Sequence, residues 1–279
     1  MCPVSECVIF DGQSPLSALD RGLHYGDGLF ETIAVAEGCP LAWTAHWQRL
    51  QQGAARLSLP LPSFAQLDRD IQARSQSLSR GVIKLIVTRG SAGRGYAPPS
   101  DPTPTCFLLS YPLPDYPLSH WQRGVIARVG RLRVARQPTL AGIKHLNRLE
   151  QVLARQEWQN PLISESILLD SLDYLCEGVM TNLFWVKDKT LFTPNLDQCG
   201  VNGIIRQRII DQANVWGYSV VIGYYPLSAL AEAEEIFLTN SIIGLWPVRQ
   251  LGAWRYALAD TARTIQRQLQ QDGWSIHYA

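Results

Sequence analysis

Ala141-Gly142-Ile143-Lys144-His145-Leu146-Asn147-Arg148-Leu149-Glu150-Gln151 sets one lysine between aliphatic residues, behind a glycine and ahead of a helical pattern. Of the 25 basic residues in the 279-residue chain, only Lys84, Lys144, Lys187 and Lys189 are lysine. An arginine-rich chain that keeps a lysine in an apolar setting points to a need for an amine. Lysine can lose its proton and attack a carbonyl, which arginine cannot do at neutral pH. Lys187 and Lys189 fall in a polar turn, where solvated lysine is expected, and Lys84 alternates within a strand and reads as facing water. Taken alone, Lys144 has two readings: a surface lysine that snorkels its charge into water, or a desolvated amine of lowered pKa, suited to Schiff-base formation.

Outward from this stretch, hydrophobic periodicity predicts a mixed order of strands and helices. Toward the N-terminus, strands are expected at 4–10 and 29–35, with a glycine-bearing loop from Asp20 to Gly28 between them. A helix follows from an N-cap at Thr44 to Leu57, burying Trp47, Leu50, Ala54 and Leu57, and a second over Phe64–Leu78 buries Phe64, Leu67 and Ile71. Strands are expected at 81–88 and 106–111. Pro112, Pro114 and Pro117 then interrupt regular structure. The expected organisation is a smaller N-terminal domain over 1–114, a linker over 115–124 and a larger domain over 125–279 that carries Lys144. In that second part a strand at 125–134 precedes a helix at 147–158 with Leu149, Val152 and Leu153 inward. Strands follow at 166–170, 174–177, 182–187 and 190–193, then a helix at 203–216, strands at 218–223 and 235–239, and a helix at 256–271. Strands and helices without regular βαβ alternation argue for an α+β fold with mixed and antiparallel sheets.

The composition excludes several functions. A formal net charge of +1 gives no field to gather nucleic acid or an anionic membrane. No apolar run approaches the roughly 20 residues that span a bilayer. The first ten residues hold Pro3 and Glu6 and no basic region, so they do not read as a signal peptide. Cys2, Cys7, Cys39, Cys106, Cys176 and Cys199 form no CxxC pair, which excludes the usual zinc and redox motifs and leaves reduced thiols in a cytoplasm as the expectation.

Other stretches offer groups for an anionic ligand. Gly200-Val201-Asn202-Gly203-Ile204-Ile205-Arg206 is a glycine turn opening a helix, either a phosphate cradle or an ordinary helix start. Thr239-Asn240-Ser241 adds hydroxyls and an amide at a strand end, and Arg49 lies on the 44–57 helix. Gly90-Ser91-Ala92-Gly93-Arg94-Gly95-Tyr96 carries one guanidinium but lacks the GxxxxGK[ST] spacing of a nucleotide loop. Glu177, between apolar strands, needs a cationic or proton-donating partner.

Taken together these stretches resemble the fold-type IV pyridoxal-phosphate enzymes, the D-amino-acid and branched-chain aminotransferase group. The resemblance runs through Arg21-Gly22-Leu23-His24-Tyr25-Gly26-Asp27-Gly28-Leu29-Phe30-Glu31-Thr32, His46-Trp47-Gln48-Arg49-Leu50, Glu177 with Thr181-Asn182-Leu183-Phe184, the 200–206 turn, and Thr239-Asn240-Ser241 with Pro247-Val248. Within the group, residues 141–151 and 89–96 are most similar to the aminodeoxychorismate lyases. The resemblance implies pyridoxal 5'-phosphate held covalently by Lys144, which also acts as general base and acid. It implies phosphate contacts from Arg49, Ile204, Ile205 and Ser241, and Glu177 on the pyridine nitrogen. It assigns Arg94 and Asn240 to the substrate, 4-amino-4-deoxychorismate, whose cleavage to 4-aminobenzoate and pyruvate serves folate synthesis. It also implies a homodimer, with no metal, nucleic acid or membrane as partner. Many relatives carry a basic residue where this chain has Ala34, so any substrate contact from that side chain is missing or replaced. Two alternatives are a branched-chain or D-amino-acid aminotransferase and a non-catalytic protein that binds phosphorylated ligands or another subunit; the second leaves Lys144 and Glu177 unexplained.

Overall fold

The computed structural model describes residues 8–10, 16–258 and 260–276. The parts of the 4–10 strand and of the N-terminal and cysteine readings that fall on residues 1–7 lie outside these, as do residues 11–15. The chain forms two compact units: the first holds residues up to Pro114 together with Ile143–Asn147, and the second holds Asp115–Gly142 and the chain from Arg148 onward.

Among the described residues, the first unit is one sheet with two long helices and one single-turn helix. Its strands are β1 (Val8–Phe10), β2 (Gly28–Ala36), β3 (Cys39–Pro40), β4 (Gly81–Thr88) and β5 (Thr105–Tyr111), in the order β1-β5-β4-β2-β3. Only β1 and β5 pair in parallel. Side chains alternate between the two faces of a strand, so Leu29, Ile33 and Val35 of β2 point one way with Ile83, Leu85 and Val87 of β4, all buried. Leu50 and Ala54 of α2 (Trp43–Leu57) and Leu67 and Ile71 of α3 (Phe64–Leu78) are buried in the same core. The other face carries Phe30, Thr32, Lys84 and Ile86, half-buried and paired in register Phe30 to Ile86 and Thr32 to Lys84.

Three expectations change here. The Asp20–Gly28 stretch contains a one-turn helix, α1 (Arg21–Tyr25), capped by the Asp20 carboxylate on Gly22 N and ended by Gly26 at φ 62°. α2 begins at Trp43 behind Ala42, with no side-chain cap, rather than from Thr44. Its buried face includes His46 and Gly53, while Trp47 and Leu57 are only partly covered and Phe64 of α3 is exposed, stacked on Trp43.

The second unit is a larger mixed sheet. After α4 (Ser119–Arg123) come β6 (Val125–Val134), α5 (Leu149–Arg155), β7 (Ile163–Asp170), β8 (Leu175–Gly178), β9 (Asn182–Lys187), β10 (Thr190–Pro194), α6 (Ile204–Gln212) and β11 (Ser219–Gly223). A 3₁₀ turn over Leu227–Glu232 leads to β12 (Glu235–Asn240), β13 (Gly244–Leu251), β14 (Trp254–Arg255) and α7 (Asp260–Gln271). The order is β11-β10-β9-β12-β13-β6-β7-β8, with β14 on β13. The β10–β11, β13–β6 and β6–β7 pairs are parallel and the rest antiparallel. Both faces of the central strands are covered, as near-continuous apolar runs require. Leu183, Trp185, Ile236 and Leu238 pack with Trp121 and Trp246 on one side, and Phe184, Val186 and Phe237 pack with Ile205, Ile209, Ile265 and Leu269 on the other. The expected α+β class with mixed and antiparallel sheets is the one observed.

One element is turned over relative to its sequence reading. α5 is shorter than 147–158, and Leu149, Val152 and Leu153, expected inward, are 75%, 49% and 54% exposed. The helical spacing identifies an apolar face correctly but carries no information on what that face meets.

Candidate active site

In the first unit, Lys144 is fixed by its backbone to the open edge of β2. Phe30 N donates to Lys144 O at 3.0 Å, Leu146 N donates to Gly28 O at 3.0 Å, and Leu29 bridges His145. Glycine is required where this segment approaches. A Cβ on Gly28 would collide with the Val87 carbonyl and come within 2.8 Å of Leu146 Cδ1; one on Gly26 would lie 2.6 Å from Asn147 Oδ1. Lys144 is half-buried, with its Nζ 4.3 Å from the centre of the Phe30 ring. Lys84, read as facing water, is also half-buried, its Nζ 5.4 Å from the same ring.

Arg49 sits in α2, but its guanidinium is already engaged by a group that sequence reading passed over. Glu31, 1% exposed, accepts from Arg49 Nε at 2.9 Å, from Arg49 Nη2 at 2.5 Å and from His46 Nδ1 at 2.7 Å. Burial raises the Glu31 pKa, but the Arg49 charge and the His46 hydrogen bond outweigh it and hold the carboxyl at about 2. Burial lowers the pKa of His46, against the opposing pull of Glu31. A neutral His46 with its proton on Nδ1 satisfies an anionic Glu31, which can only accept. The effect is to fix Arg49 in one orientation. Strand alternation could have found Glu31, since it sets an acid among Leu29, Ile33 and Val35 on an inward face, where it must have partners.

In the second unit, Glu177 on β8 is buried and accepts from Val201 N at 2.9 Å and from Asn182 Nδ2 at 3.5 Å. Asn182 Nδ2 also donates to Val201 O at 2.8 Å. Gly142, the residue before the lysine segment, donates to Gly200 O at 2.9 Å and accepts from Asn202 N at 3.0 Å. The 200–203 turn is therefore tied down on two sides. A Cβ on Gly203 would overlap Asn182 Oδ1, so any larger residue must displace the Asn182 side chain. Arg206 completes the turn: Nη1 donates to Asn202 Oδ1, Nη2 to Pro194 O and Nε to Thr193 Oγ1, at 2.8, 2.8 and 3.2 Å. Burial pushes its pKa down to about 10 despite the Glu177 charge. Ile204 and Ile205 begin α6 with Gly203 at the cap and no side-chain cap, so their first-turn N–H groups point out of the helix start.

Glu165, another acid that sequence reading passed over, is fully buried and accepts from Ser166 N, Val179 N, Met180 N and Thr181 Oγ1 between 2.8 and 3.1 Å. It pins the turn joining Glu177 to Asn182, and burial raises its pKa. Asn240 donates Nδ2 to Met180 O, while its Oδ1 accepts from Ile242 N and Ile243 N. Its amide thus builds the turn around it. Ser241 is half-buried in that turn, and Arg94 is exposed in the 90–97 loop of the first unit.

The model of the amino-transferase class IV family matches residues 28–251 of this chain. The chain belongs to the amino-transferase class IV family. Among class IV relatives, it is 46% identical to the crystal structure of 4-amino-4-deoxychorismate lyase from Pseudomonas aeruginosa, with a TM-score of 0.90 over 93% of this chain and 96% of that one. It is 37% identical to aminodeoxychorismate lyase of Vibrio harveyi, over 84% of this chain and 86% of the relative. It is 32% identical to a putative branched-chain-amino-acid aminotransferase of Methanocaldococcus jannaschii, over 85% of this chain and 82% of the relative.

Proposed function

We propose that this class IV protein cleaves 4-amino-4-deoxychorismate to 4-aminobenzoate, a folate precursor, and pyruvate. The observation that carries the reading is the 46% identity to the Pseudomonas lyase over 93% of the chain. The residues suit the cofactor of the family, pyridoxal 5'-phosphate. Lys144 offers an amine on a fixed backbone, Glu177 a buried carboxylate, and Ile204 and Ile205 first-turn amides at an uncapped helix start, a natural phosphate site.

From the first unit we assign Lys144 to the covalent attachment and Arg49, oriented by Glu31, to the phosphate. From the second we assign Ile204 N, Ile205 N and the Ser241 hydroxyl to the phosphate, and Glu177 to the pyridine nitrogen, where it holds a proton. The bound cofactor supplies an electron sink for the charge left when a carbon–hydrogen bond beside nitrogen breaks. Lys144 Nζ takes the proton from the ring carbon that bears the amino group. The enolpyruvyl oxygen then leaves its ring carbon with the bonding pair, the ring becomes aromatic, and Lys144 Nζ returns a proton to the departing group. We assign Arg94 to a substrate carboxylate, which a guanidinium binds through two parallel hydrogen bonds. Asn240 serves the substrate by holding its turn.

We also propose a homodimer, supported by the exposed apolar stripe of Leu149, Val152 and Leu153. Sedimentation at micromolar concentration checks it, a monomer being the opposing result. A cytoplasmic location belongs to the same reading.

The decisive experiment gives purified holoenzyme 4-amino-4-deoxychorismate with no keto acid present. Equal amounts of 4-aminobenzoate and pyruvate are expected. The likeness to the Methanocaldococcus protein favours an aminotransferase as the second reading, and turnover that appears only when a keto acid is added would establish it instead.

A further inference from the structure

We propose that Arg21 is a positioning residue for substrate recognition, clamping the 90–97 loop so that Arg94 is held out in one place; the inference rests on the reading of Arg94 as a substrate-carboxylate contact. Arg21 is 4% exposed and its guanidinium is turned toward three successive carbonyls of the loop. Nη1 donates to Gly95 O at 3.0 Å and to Ala97 O at 3.4 Å, and Nη2 donates to Tyr96 O at 2.9 Å. The start of the loop is stitched by backbone to the start of α1 and the two residues before it: Arg21 N donates to Gly90 O, Ala92 N donates to Leu19 O, and Asp20 bridges Ser91. The Tyr25 ring lies 4.8 Å from the guanidinium carbon and 5.4 Å from the Tyr96 ring.

The loop does not hold itself in place by packing. Arg94 and Tyr96 are exposed, and a Cβ added at Gly93 or Gly95 would meet nothing within 4 Å. Glycines in open space give the chain wide conformational freedom. Without a tether, each binding event would carry the cost of ordering the loop. Arg21 is in turn fixed by Asp27, whose Oδ2 accepts from Arg21 Nε and from Arg89 Nε, each at 2.8 Å. Arg89 also donates to Leu57 O and Ser58 O at the end of α2. The clamp therefore runs from the helix end through Arg89, Asp27 and Arg21 to the loop. Burial raises the Asp27 pKa, but the hydrogen bonds from Arg89 and Arg21 bring it below the ordinary range, so the central carboxylate stays charged at neutral pH.

The test uses holoenzyme with Arg21→Met, Arg21→Lys, Arg94→Met and the Arg21→Met/Arg94→Met double variant. Lysine keeps a charge beside Asp27 but cannot span three carbonyls from one planar group. Tryptic cleavage after Arg94 in the Arg21 variants, followed by mass, should quicken about ten-fold or more. KM for 4-amino-4-deoxychorismate should rise about ten-fold, as for lost charge-assisted hydrogen bonds, while kcat and cofactor affinity stay within about two-fold. The double variant should have the KM of Arg94→Met alone. A general loss of structure would instead lower kcat and cofactor affinity together. Unchanged cleavage and KM in both Arg21 variants, with KM raised in Arg94→Met, would overturn the clamp and leave the Arg94 reading standing. An unchanged KM in Arg94→Met would remove that reading, and the specificity role of Arg21 with it.

Discussion

Replacing Glu31 with glutamine removes the charge around which Arg49 and His46 are arranged. The size of the effect follows from two routes. The carboxyl is held at about 2 rather than the 4.5 of an unrestrained glutamate. At about 1.36 kcal/mol per pH unit that interval corresponds to ~3 kcal/mol. Breaking a buried ion pair by removing one partner costs about 3–5 kcal/mol, and the Arg49 side chain, 11% exposed, would be left without its counter-charge in Glu31. Because the folded-state pKa is depressed, this stability is fully present above pH 4.5 and is lost as pH falls toward 2. Urea unfolding of wild-type and Glu31→Gln holoenzyme at pH 7 should therefore differ by ~3 kcal/mol, and the gap should narrow steadily as the pH is taken from 5 to 3. Glutamine does not titrate, so the narrowing isolates this one carboxyl from the others. A difference below ~1 kcal/mol at pH 7, or one that stays constant across that interval, would refute the reasoning.

Lys144→Ala should abolish both turnover and the yellow, borohydride-reducible adduct, each read on the purified protein by absorbance; near-normal activity would reject the mechanism. Glu177→Gln should lower kcat about ten-fold or more with cofactor still bound, and stopped-flow rates check it. Arg49→Met should raise the cofactor dissociation constant about ten- to hundred-fold, the loss expected for a charge-assisted contact, as measured by equilibrium dialysis. Gly203→Ala must displace Asn182 from the position that also holds Val201, so it should cost about 1–3 kcal/mol in urea unfolding.

How much of this was legible depended on how local each signal is. Lys144, Glu177 and the 200–206 turn sit in contiguous stretches whose glycines and apolar flanks mark them, and the structure gives each a defined backbone setting. The Glu31–His46–Arg49 cluster joins a strand to a helix fifteen residues away, and only the inward parity of Glu31 hinted at it. α1 went unread although its Asp20 cap and terminal Gly26 were visible, because five residues are too few to show a period. β13 is hard to read for another reason: Pro247 lacks a ladder donor and argues against a central strand. The structure accommodates it opposite Phe237, ahead of the pairing with β6 that begins at Val248. The outward face of α5 was unreadable in principle, since periodicity ranks faces without naming their neighbours.

The five residues Ile143–Asn147 belong with the first unit although the chain on either side of them belongs with the second. No single cut can therefore release both halves whole. A break after Pro114 would leave the N-terminal fragment without the borrowed stretch that pairs with the start of β2, and would strand Lys144 on the other piece. During synthesis the same arrangement makes the N-terminal half wait: it cannot be completed until more than thirty further residues have left the ribosome.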